Sequence, residues 1–186
     1  MAPVPPFMTP LTTRLLAAGL LLLTACSPAF NWREVRPDNT ALSLLLPCKP
    51  DKASRSVPLG GQPTELAMLG CDAGGATFAV GVATVKDTSQ VAAALAGWQA
   101  ATLANMKAAG AGQAAPLKVP GASVQPPALL VRATGQRANG SAVQSQAAYF
   151  AHGAQVFQAV IYADSISPEV AETFFSSLKL DDGSAR

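Results

Sequence analysis

The sequence predicts an α+β fold in which an antiparallel sheet of about six or seven strands packs with two main helices. Short runs of alternating apolar residues, bounded by Gly, Pro and Asn, are typical of strands joined by tight turns. Two other segments instead place apolar residues at helical spacing. The order along the chain is strands, helix, strands, helix, which indicates a single α+β domain over residues 41–180.

Four strands are predicted before the first helix. Pro47 ends the first of them, and the Gly60-Gly61 pair turns the second into the third. The glycine-rich stretch 72–75 supplies the turn before the fourth strand. The predicted strands cover residues 41–46, 55–59, 64–70 and 77–85.

The first helix follows Asp87, Thr88 and Ser89, which offer capping side chains, and it is predicted to end near Gly110. One face of this helix is apolar and carries Val91, Ala94, Leu95, Trp98, Ala101 and Met106. Trp98 on that face is interpreted as a core residue, with a platform for a ligand as the alternative.

Residues 110–127 form a connection rich in Gly, Ala, Pro and Gln. A connection this long is uncommon in a compact domain unless it is functional or mobile. One short edge strand is expected in it, because its prolines exclude a central strand. We interpret the segment as a surface excursion, with a binding loop as the alternative.

The second half of the domain predicts a three-stranded meander over residues 128–134, 142–151 and 155–163. The Asn139-Gly140 pair is a hairpin signal, and the His152-Gly153 pair predicts a second tight turn. The last helix begins at Ser167 as N-cap, with Pro168 at its first position and Glu169 in its first turn. Its buried face is predicted to consist of Val170, Ala171, Phe174, Phe175 and Leu178.

The N-terminal segment has the pattern of a bacterial secretion signal. Arg14 precedes an apolar run over residues 15–23, which is too short to span a bilayer and fits a signal core. Residues 23–26, Leu-Thr-Ala-Cys, resemble the lipobox of bacterial lipoproteins, which predicts cleavage after Ala25 and lipid attachment at Cys26. An ordinary signal peptide with a chance Cys and an uncleaved anchor are the alternatives. Translation starts at either Met1 or Met8.

Residues 1–25 are therefore predicted as a lipoprotein signal peptide, residues 26–40 as a lipidated tether and residues 181–186 as a tail. As in other lipoproteins, Cys26 would carry three acyl chains, palmitate among them, and two already suffice for stable anchoring. Ser27 at the second mature position, by resemblance to sorted Gram-negative lipoproteins, favours the outer membrane, facing the periplasm. The tether residues Phe30 and Trp32 are expected to pack loosely or to lie near the membrane.

The charge balance excludes nucleic acid as an expected partner. Without residues 1–25 the chain has 12 Lys and Arg against 11 Asp and Glu. A near-neutral domain has no electrostatic attraction for a polyanion or an anionic surface. The predicted partners are the membrane, through the lipidated N-terminus, and an envelope protein.

Cys48 and Cys71 remain after Cys26 is lipidated, and an oxidising compartment favours a disulfide between them. The bridge would close a loop of about 24 residues and stabilise the domain by about 3 kcal/mol in the chain-entropy model. Free thiols, a metal pair and a redox motif are the alternatives. The spacing is too long for CxxC, and no His or third Cys lies nearby in sequence.

The residues with catalytic potential form no recognisable motif. His152 is the only histidine, and its predicted turn position favours solvent exposure. No serine lies in a G-x-S-x-G motif, and the glycines lack the spacing of a phosphate loop. The pairs Asp181-Asp182 and Glu169 with Glu172 are interpreted as surface charges. We therefore predict a protein that is not an enzyme, with no catalytic, cofactor-binding or metal-binding residues.

Five stretches spread over most of the mature chain carry a resemblance to known proteins, namely residues 30–37, 45–50, 68–71, 149–153 and 174–180. In these stretches the chain resembles a family of uncharacterised lipoproteins from beta-proteobacteria. More remotely, the Leu-Pro-x-Lys-Pro motif after the first strand and the Phe-rich last helix look like the PsbP-type α+β sandwich. That resemblance implies a fold only and transfers no function.

Two functions remain as expectations from the sequence. The favoured one is a lipid-anchored, non-catalytic domain of the cell envelope that binds a protein or an envelope component, as a binding or adaptor domain. The alternative is a small-ligand carrier or a hydrolase that uses a pocket between the sheet and the helices, under the 110–127 loop.

Overall fold

The computed structural model describes residues 29–59 and 61–181, which form an α+β fold of two antiparallel sheets and two α-helices. The larger sheet has seven strands in the order β3-β4-β5-β9-β8-β7-β6. These strands are β3 (Asp51–Leu59), β4 (Gln62–Ala73), β5 (Ala76–Thr84), β6 (Gln113–Pro116), β7 (Leu129–Gln136), β8 (Ala142–His152) and β9 (Gln155–Ala163). The predicted fold class is confirmed.

The smaller sheet has three strands in the order β1-β2-β10. Its strands are β1 (Arg33–Val35), β2 (Leu42–Leu46) and β10 (Lys179–Leu180), and the two helices are α1 (Val91–Asn105) and α2 (Pro168–Ser176). The predicted first strand, residues 41–46, therefore exists as β2, but it pairs with β1 and β10 rather than with the larger sheet.

The larger sheet is covered on both faces, which gives two hydrophobic cores. The small sheet and α2 cover one face, where Phe78 of β5 meets Phe174 of α2 with ring centroids 5.5 Å apart. Helix α1 lies on the other face, where Trp98 packs among Leu66 and Val160. Strands buried on both faces lose strict apolar-polar alternation, as β9 does.

The structure also incorporates part of the predicted tether into the fold. Within residues 26–40, β1 pairs with β2, and Asn31 N donates to Pro47 O at 2.7 Å. Phe30 and Trp32 stack on each other with centroids 5.9 Å apart, and both rings contact Phe78 edge-on. These two aromatic side chains are partly buried and pack against the core on the small-sheet face.

Helix α1 forms where the sequence predicts it, with two differences at its start and end. Asp87 caps a short 3-10 turn, Thr88–Gln90, by accepting from Ser89 N at 2.8 Å, and α1 follows that turn. The helix ends before Met106, whose carbonyl accepts from Gln136 N of β7 at 2.6 Å. A side chain at Gly135 would collide with this carbonyl, so the glycine allows the helix end to lie directly on β7.

The remaining predicted elements are confirmed with shifted bounds. Strands β3 and β4 are longer than predicted, and β9 has the predicted bounds. His152 belongs to β8, and the turn after it consists of Gly153 and Ala154. Ser167 caps α2 by accepting from Val170 N, as predicted. The edge strand expected within residues 110–127 is β6, which pairs with β7.

Candidate ligand-binding cleft

Helix α1 covers only part of its face of the sheet, and a cleft of about 410 Å³ lies between the helix and strands β3, β4, β5 and β9. One wall is α1, and the floor is the exposed face of the strands. The lining residues are Arg55, Val57, Pro58, Leu59, Leu66, Met68, Ala79, Val80, Gly81, Gly97, Trp98, Ala101, Thr102, Asn105, Gln158 and Tyr162. This volume and mixed apolar-polar lining are typical of small-molecule sites.

Trp98 forms the wall at the middle of the cleft, and Gly81 of β5 makes its position possible. A Cβ atom added at Gly81 would lie 2.8 Å from Cζ2 of Trp98 and 3.2 Å from Cδ1 of Leu66. The absence of a side chain therefore lets the indole ring lie against the sheet backbone. Trp98 is 9 % exposed, so the sequence prediction of a core residue agrees with its burial, although one side of it faces the cleft.

A buried hydrogen-bond network forms the inner end of the cleft. Thr102 Oγ1 donates to the Trp98 carbonyl at 3.0 Å, one turn back along α1. Gln158 Nε2 donates to Thr102 Oγ1 at 2.8 Å and to the hydroxyl of Tyr149 at 2.9 Å. Since both amide protons of Gln158 are used, this network fixes the side chain and locks α1 to strands β8 and β9.

Two tyrosines near this network remain protonated well above neutral pH. Burial raises the pKa of Tyr162 to about 12, and the nearby Tyr149 adds to that rise by disfavouring a second negative charge. Burial also raises the pKa of Tyr149, while its side-chain hydrogen bonds with Thr102 and Gln158 partly oppose the rise. The phenols are therefore neutral hydrogen-bonding groups, and neither is suited to act as an anionic base near neutral pH.

The charged side chain of the cleft lies at its outer end, on strand β3. Among the described residues that line the cleft, Arg55 of β3 is the one charged side chain. Helix α1 has no charged residue at all between Val91 and Asn105. Glu65 lies on the opposite face of the sheet, where it accepts from Ser54 Oγ at 2.7 Å. The guanidinium of Arg55 therefore has no carboxylate partner among the residues that the structure describes.

A second groove lies on the opposite face of the sheet, beside the 110–127 segment. It has a volume of about 560 Å³ and lies between α2 and strands β7 and β8. Leu117 and Lys118 of the segment line it, together with Arg132 and Phe175. This is the place where the sequence analysis expected a pocket under the loop.

The 110–127 segment is tied down at several backbone positions. Ser123 N donates to Ala151 O at 2.7 Å, Leu180 N donates to Pro120 O at 2.8 Å, and Leu117 N donates to Ala128 O at 3.0 Å. These bonds hold the segment on the small-sheet side of the molecule. It therefore does not cover the cleft beside α1, which lies on the other face.

The predicted disulfide between Cys48 and Cys71 is confirmed, with Cα atoms 6.0 Å apart. Cys48 follows β2, and Cys71 lies within β4, not after its end as predicted. The bridge therefore ties the small sheet to the large one. Cys26 and the predicted cleavage position Ala25 lie outside the residues that the structure describes.

The titratable residues considered from the sequence are dispersed in the structure. His152 Nδ1 lies 2.9 Å from Gly121 O, Glu169 forms a short hydrogen bond with Ser167 Oγ, and Glu172 lines the second groove. Asp181 pairs with Arg36 at 3.6 Å and with Lys179 at 3.8 Å, and Asp182 lies outside the described residues. Within residues 29–59 and 61–181, no group of three or more His, Cys, Asp and Glu could hold a metal ion.

Gln158, Tyr149 and Tyr162 were not among the site residues considered from the sequence. A usable signal exists for Gln158, which interrupts the apolar stretch 156–161 of β9 and is only 8 % exposed. A buried amide requires hydrogen-bond partners, so its position predicts a polar network. The partners themselves come from α1 and β8 and are far away in sequence.

Neither helix in the described part of the chain has the length and apolarity needed to cross a bilayer.

Comparisons with known proteins leave the family open. No protein-family model and no curated protein matches the chain. Among solved structures, the chain is similar to a protein from Bacteroides thetaiotaomicron with a TM-score of 0.44 and 12% identity, over 78% of this chain and 47% of that one. It thus spans about half the length of that protein. A protein of unknown function from Pseudomonas aeruginosa aligns with a TM-score of 0.34 and 16% identity, over 75% of this chain and 85% of its own.

Proposed function

We propose that this protein is a lipid-anchored, non-catalytic binding domain of the bacterial cell envelope. The run from Arg14 to Cys26 supports the anchor, since it combines a charge, a short apolar core and a lipobox-like end. Ser27 supports outer-membrane sorting, with the domain facing the periplasm. The cleft beside α1 is the observation that supports binding.

The groups at the inner end of the cleft suit binding better than chemistry. Thr102 already donates its proton to the Trp98 carbonyl and accepts from Gln158, so its oxygen has no adjacent base to activate it. The Tyr162 phenol keeps its proton at neutral pH because burial raises its pKa to about 12. Fixed, neutral hydrogen-bonding groups between apolar walls orient a ligand without reacting with it.

Ligand capture is tested by native mass spectrometry of protein purified from its own envelope, alongside two matched variants of α1. Ala101 lines the cleft, whereas Ala100 is exposed on the same helix and does not line it. We expect the unsubstituted protein and Ala100→Leu to carry a stoichiometric small molecule, and Ala101→Leu to lose it. Equal ligand content in all three proteins, or none in any, would contradict binding in this cleft.

The anchor is tested separately by acyl labelling in cells. Cys26→Ser should abolish labelling and release the protein from the membrane fraction, whereas Cys48→Ser should keep both. Unchanged labelling of Cys26→Ser would refute lipid attachment at that residue.

The second candidate function uses the groove between α2 and the sheet as a carrier or hydrolase site. The observation that favours it is the position of Leu117 and Lys118, which place the 110–127 segment at the edge of this groove. Turnover of an ester, peptide or glycan by the purified protein, abolished by a substitution at Phe175 or Lys118, would support this candidate over the first.

A further inference from the structure

We propose that the cleft beside α1 takes an elongated amphiphile with a hydrogen-bond donor at its inner end, an apolar body and an anionic outer end. This inference rests on the proposed binding function and specifies the class of ligand. Three features of the cleft carry it: the free amide oxygen of Gln158, the apolar walls and the single charge of Arg55.

At the inner end of the cleft, a ligand needs a hydrogen-bond donor, because the orientation of the Gln158 amide leaves its oxygen free. Thr102 Oγ1 gives its one proton to the Trp98 carbonyl, so towards Gln158 it can only accept. The nitrogen of the amide must therefore face Thr102, which leaves Oε1 as the free atom of a side chain that is 8 % exposed and lines the cleft. No hydrogen bond from the described residues reaches this oxygen. A hydroxyl or N–H of the ligand would satisfy it.

The middle of the cleft requires an apolar body. Trp98 and Leu66 are buried side chains of its wall and floor, and Val57 and Met68 are half-buried there. Open space for this body lies beside Gly97, where an added Cβ atom would meet no atom within 4 Å, whereas the space above Gly81 is filled by the Trp98 ring. Covering the half-exposed apolar surfaces is the main source of affinity, and the polar ends set the orientation.

The outer end requires a negative charge. Arg55 is the one charge among the described residues that line the cleft, and the neighbouring helix offers no carboxylate to compete with a ligand. A planar guanidinium binds a carboxylate or phosphate with two parallel hydrogen bonds.

The strand register sets the distance between the two ends. Gln158 lies opposite Gly81, Gly81 opposite Met68, and Met68 opposite Ala53, so three strand spacings separate Gln158 from β3. That is about 14 Å, and Arg55 lies two residues further along β3. Arg55 lines the cleft, so the length of its side chain covers part of this distance. A ligand with polar groups about 10–12 Å apart, such as a ten-carbon chain, is therefore chosen to join the two ends.

The probes are 10-hydroxydecanoate, decanoate and 1,10-decanediol, which differ only in their end groups. The protein used is the mature chain from residue 27 without the lipid, since residues 29–181 contain both cores and the disulfide. Fluorescence of Trp98 reports binding, and Trp32→Phe removes the signal of the other tryptophan, which lies on the opposite face of the sheet. Binding should be tightest for 10-hydroxydecanoate, by about five-fold over each of the other two.

Two arginine variants locate the anion. Arg55→Gln should reduce the affinity for 10-hydroxydecanoate about five-fold and leave that for decanediol unchanged. Arg132→Gln, on the other face at the second groove, should change neither. Equal affinities for the three probes, an absence of binding, or the same effect from both arginine variants would overturn the proposal. Loss of the envelope-derived ligand in Ala101→Leu alone, with no binding of these probes, would refute this ligand class and leave the binding function standing.

Discussion

Gly81 and Gly97 both line the cleft, yet the same substitution is expected to have opposite effects at the two positions. A Cβ atom at Gly81 would lie 2.8 Å and 3.0 Å from two atoms of the Trp98 ring, and the shorter of these distances is below those that real Cβ atoms show. The indole must shift, and it cannot move freely because Thr102 and the rest of α1 are fixed to Gln158. A Cβ atom at Gly97 would meet no atom within 4 Å.

The magnitudes follow from this difference in space. Overpacking of a core costs about 1–3 kcal/mol, and the lower entropy of the unfolded alanine chain offsets about 0.4–1 kcal/mol of it. We expect Gly81→Ala to lower the free energy of unfolding by about 1–2 kcal/mol. Gly97→Ala places alanine in a helix interior and should raise it by about 0.5–1 kcal/mol.

Urea denaturation of the unlipidated mature protein, followed by far-UV circular dichroism, measures both effects. With a slope of about 1–3 kcal/mol per molar urea, the two midpoints should differ by about 1 M. If the two variants shift the midpoint in the same direction, or if Gly81→Ala is as stable as the unsubstituted protein, then α1 does not lie on β5 as described. Trp98→Phe in the Gly81→Ala background should recover part of the loss, because the smaller ring removes the contact.

Three further predictions concern buried groups away from that contact. Thr102→Val should lower the free energy of unfolding by about 1–3 kcal/mol, because it leaves a buried donor of Gln158 without its partner. Ser43→Ala should be neutral or stabilising, since the buried Ser43 hydroxyl has no partner among the described residues. Chemical denaturation of both variants distinguishes the two cases. Between pH 7 and about pH 10 the Tyr162 contribution to the free energy of unfolding should be constant, and it should fall by about 2–3 kcal/mol towards pH 12, because the unfolded Tyr162 ionises near pH 10 and the folded one near 12. A pH series of chemical denaturation should show a smaller fall for Tyr162→Phe, and an identical fall would contradict the assignment. Replacing Cys48 and Cys71 together by Ser should lower the free energy of unfolding by about 3 kcal/mol. In the unsubstituted protein, non-reducing peptide mass analysis should show the two cysteines joined, whereas alkylation of both without reductant would contradict the bridge.

The elements of the fold were predictable where short-range chemistry decides them. Ser167 and Pro168 specify the start of α2 through a cap and a fixed dihedral angle, and the meander from β7 to β9 follows its turn residues. Strands β1 and β10 were not predicted, because they have only three and two residues and exist through pairing with β2. Pairing between the two ends of a chain leaves no local pattern in the sequence.

The disulfide was predictable from the number of cysteines and from the export that the N-terminal pattern predicts, but the cleft was not predictable from the sequence. Its inner end joins Thr102 of α1, Tyr149 of β8 and Gln158 of β9, which meet only when the helix is laid across the sheet. The apolar face of α1 predicted that Trp98 is buried. It could not show that the helix leaves β3 and β4 only half covered. The position of a helix across a sheet depends on contacts such as those at Gly81 and Gly135.

The packing of Phe30 has a consequence for how the anchored protein would stand on its membrane. The ring lies so close to Gly74 that a Cβ atom at that position would collide with it. It packs against the core on the face of the large sheet opposite α1. Cys26 precedes Phe30 by four residues, which span at most about 14 Å. A lipid on Cys26 would thus keep the small sheet next to the bilayer and leave the α1 side, two layers away, open to the periplasm. A ligand would then enter from the aqueous space or from a partner protein, rather than directly from the leaflet that holds the anchor.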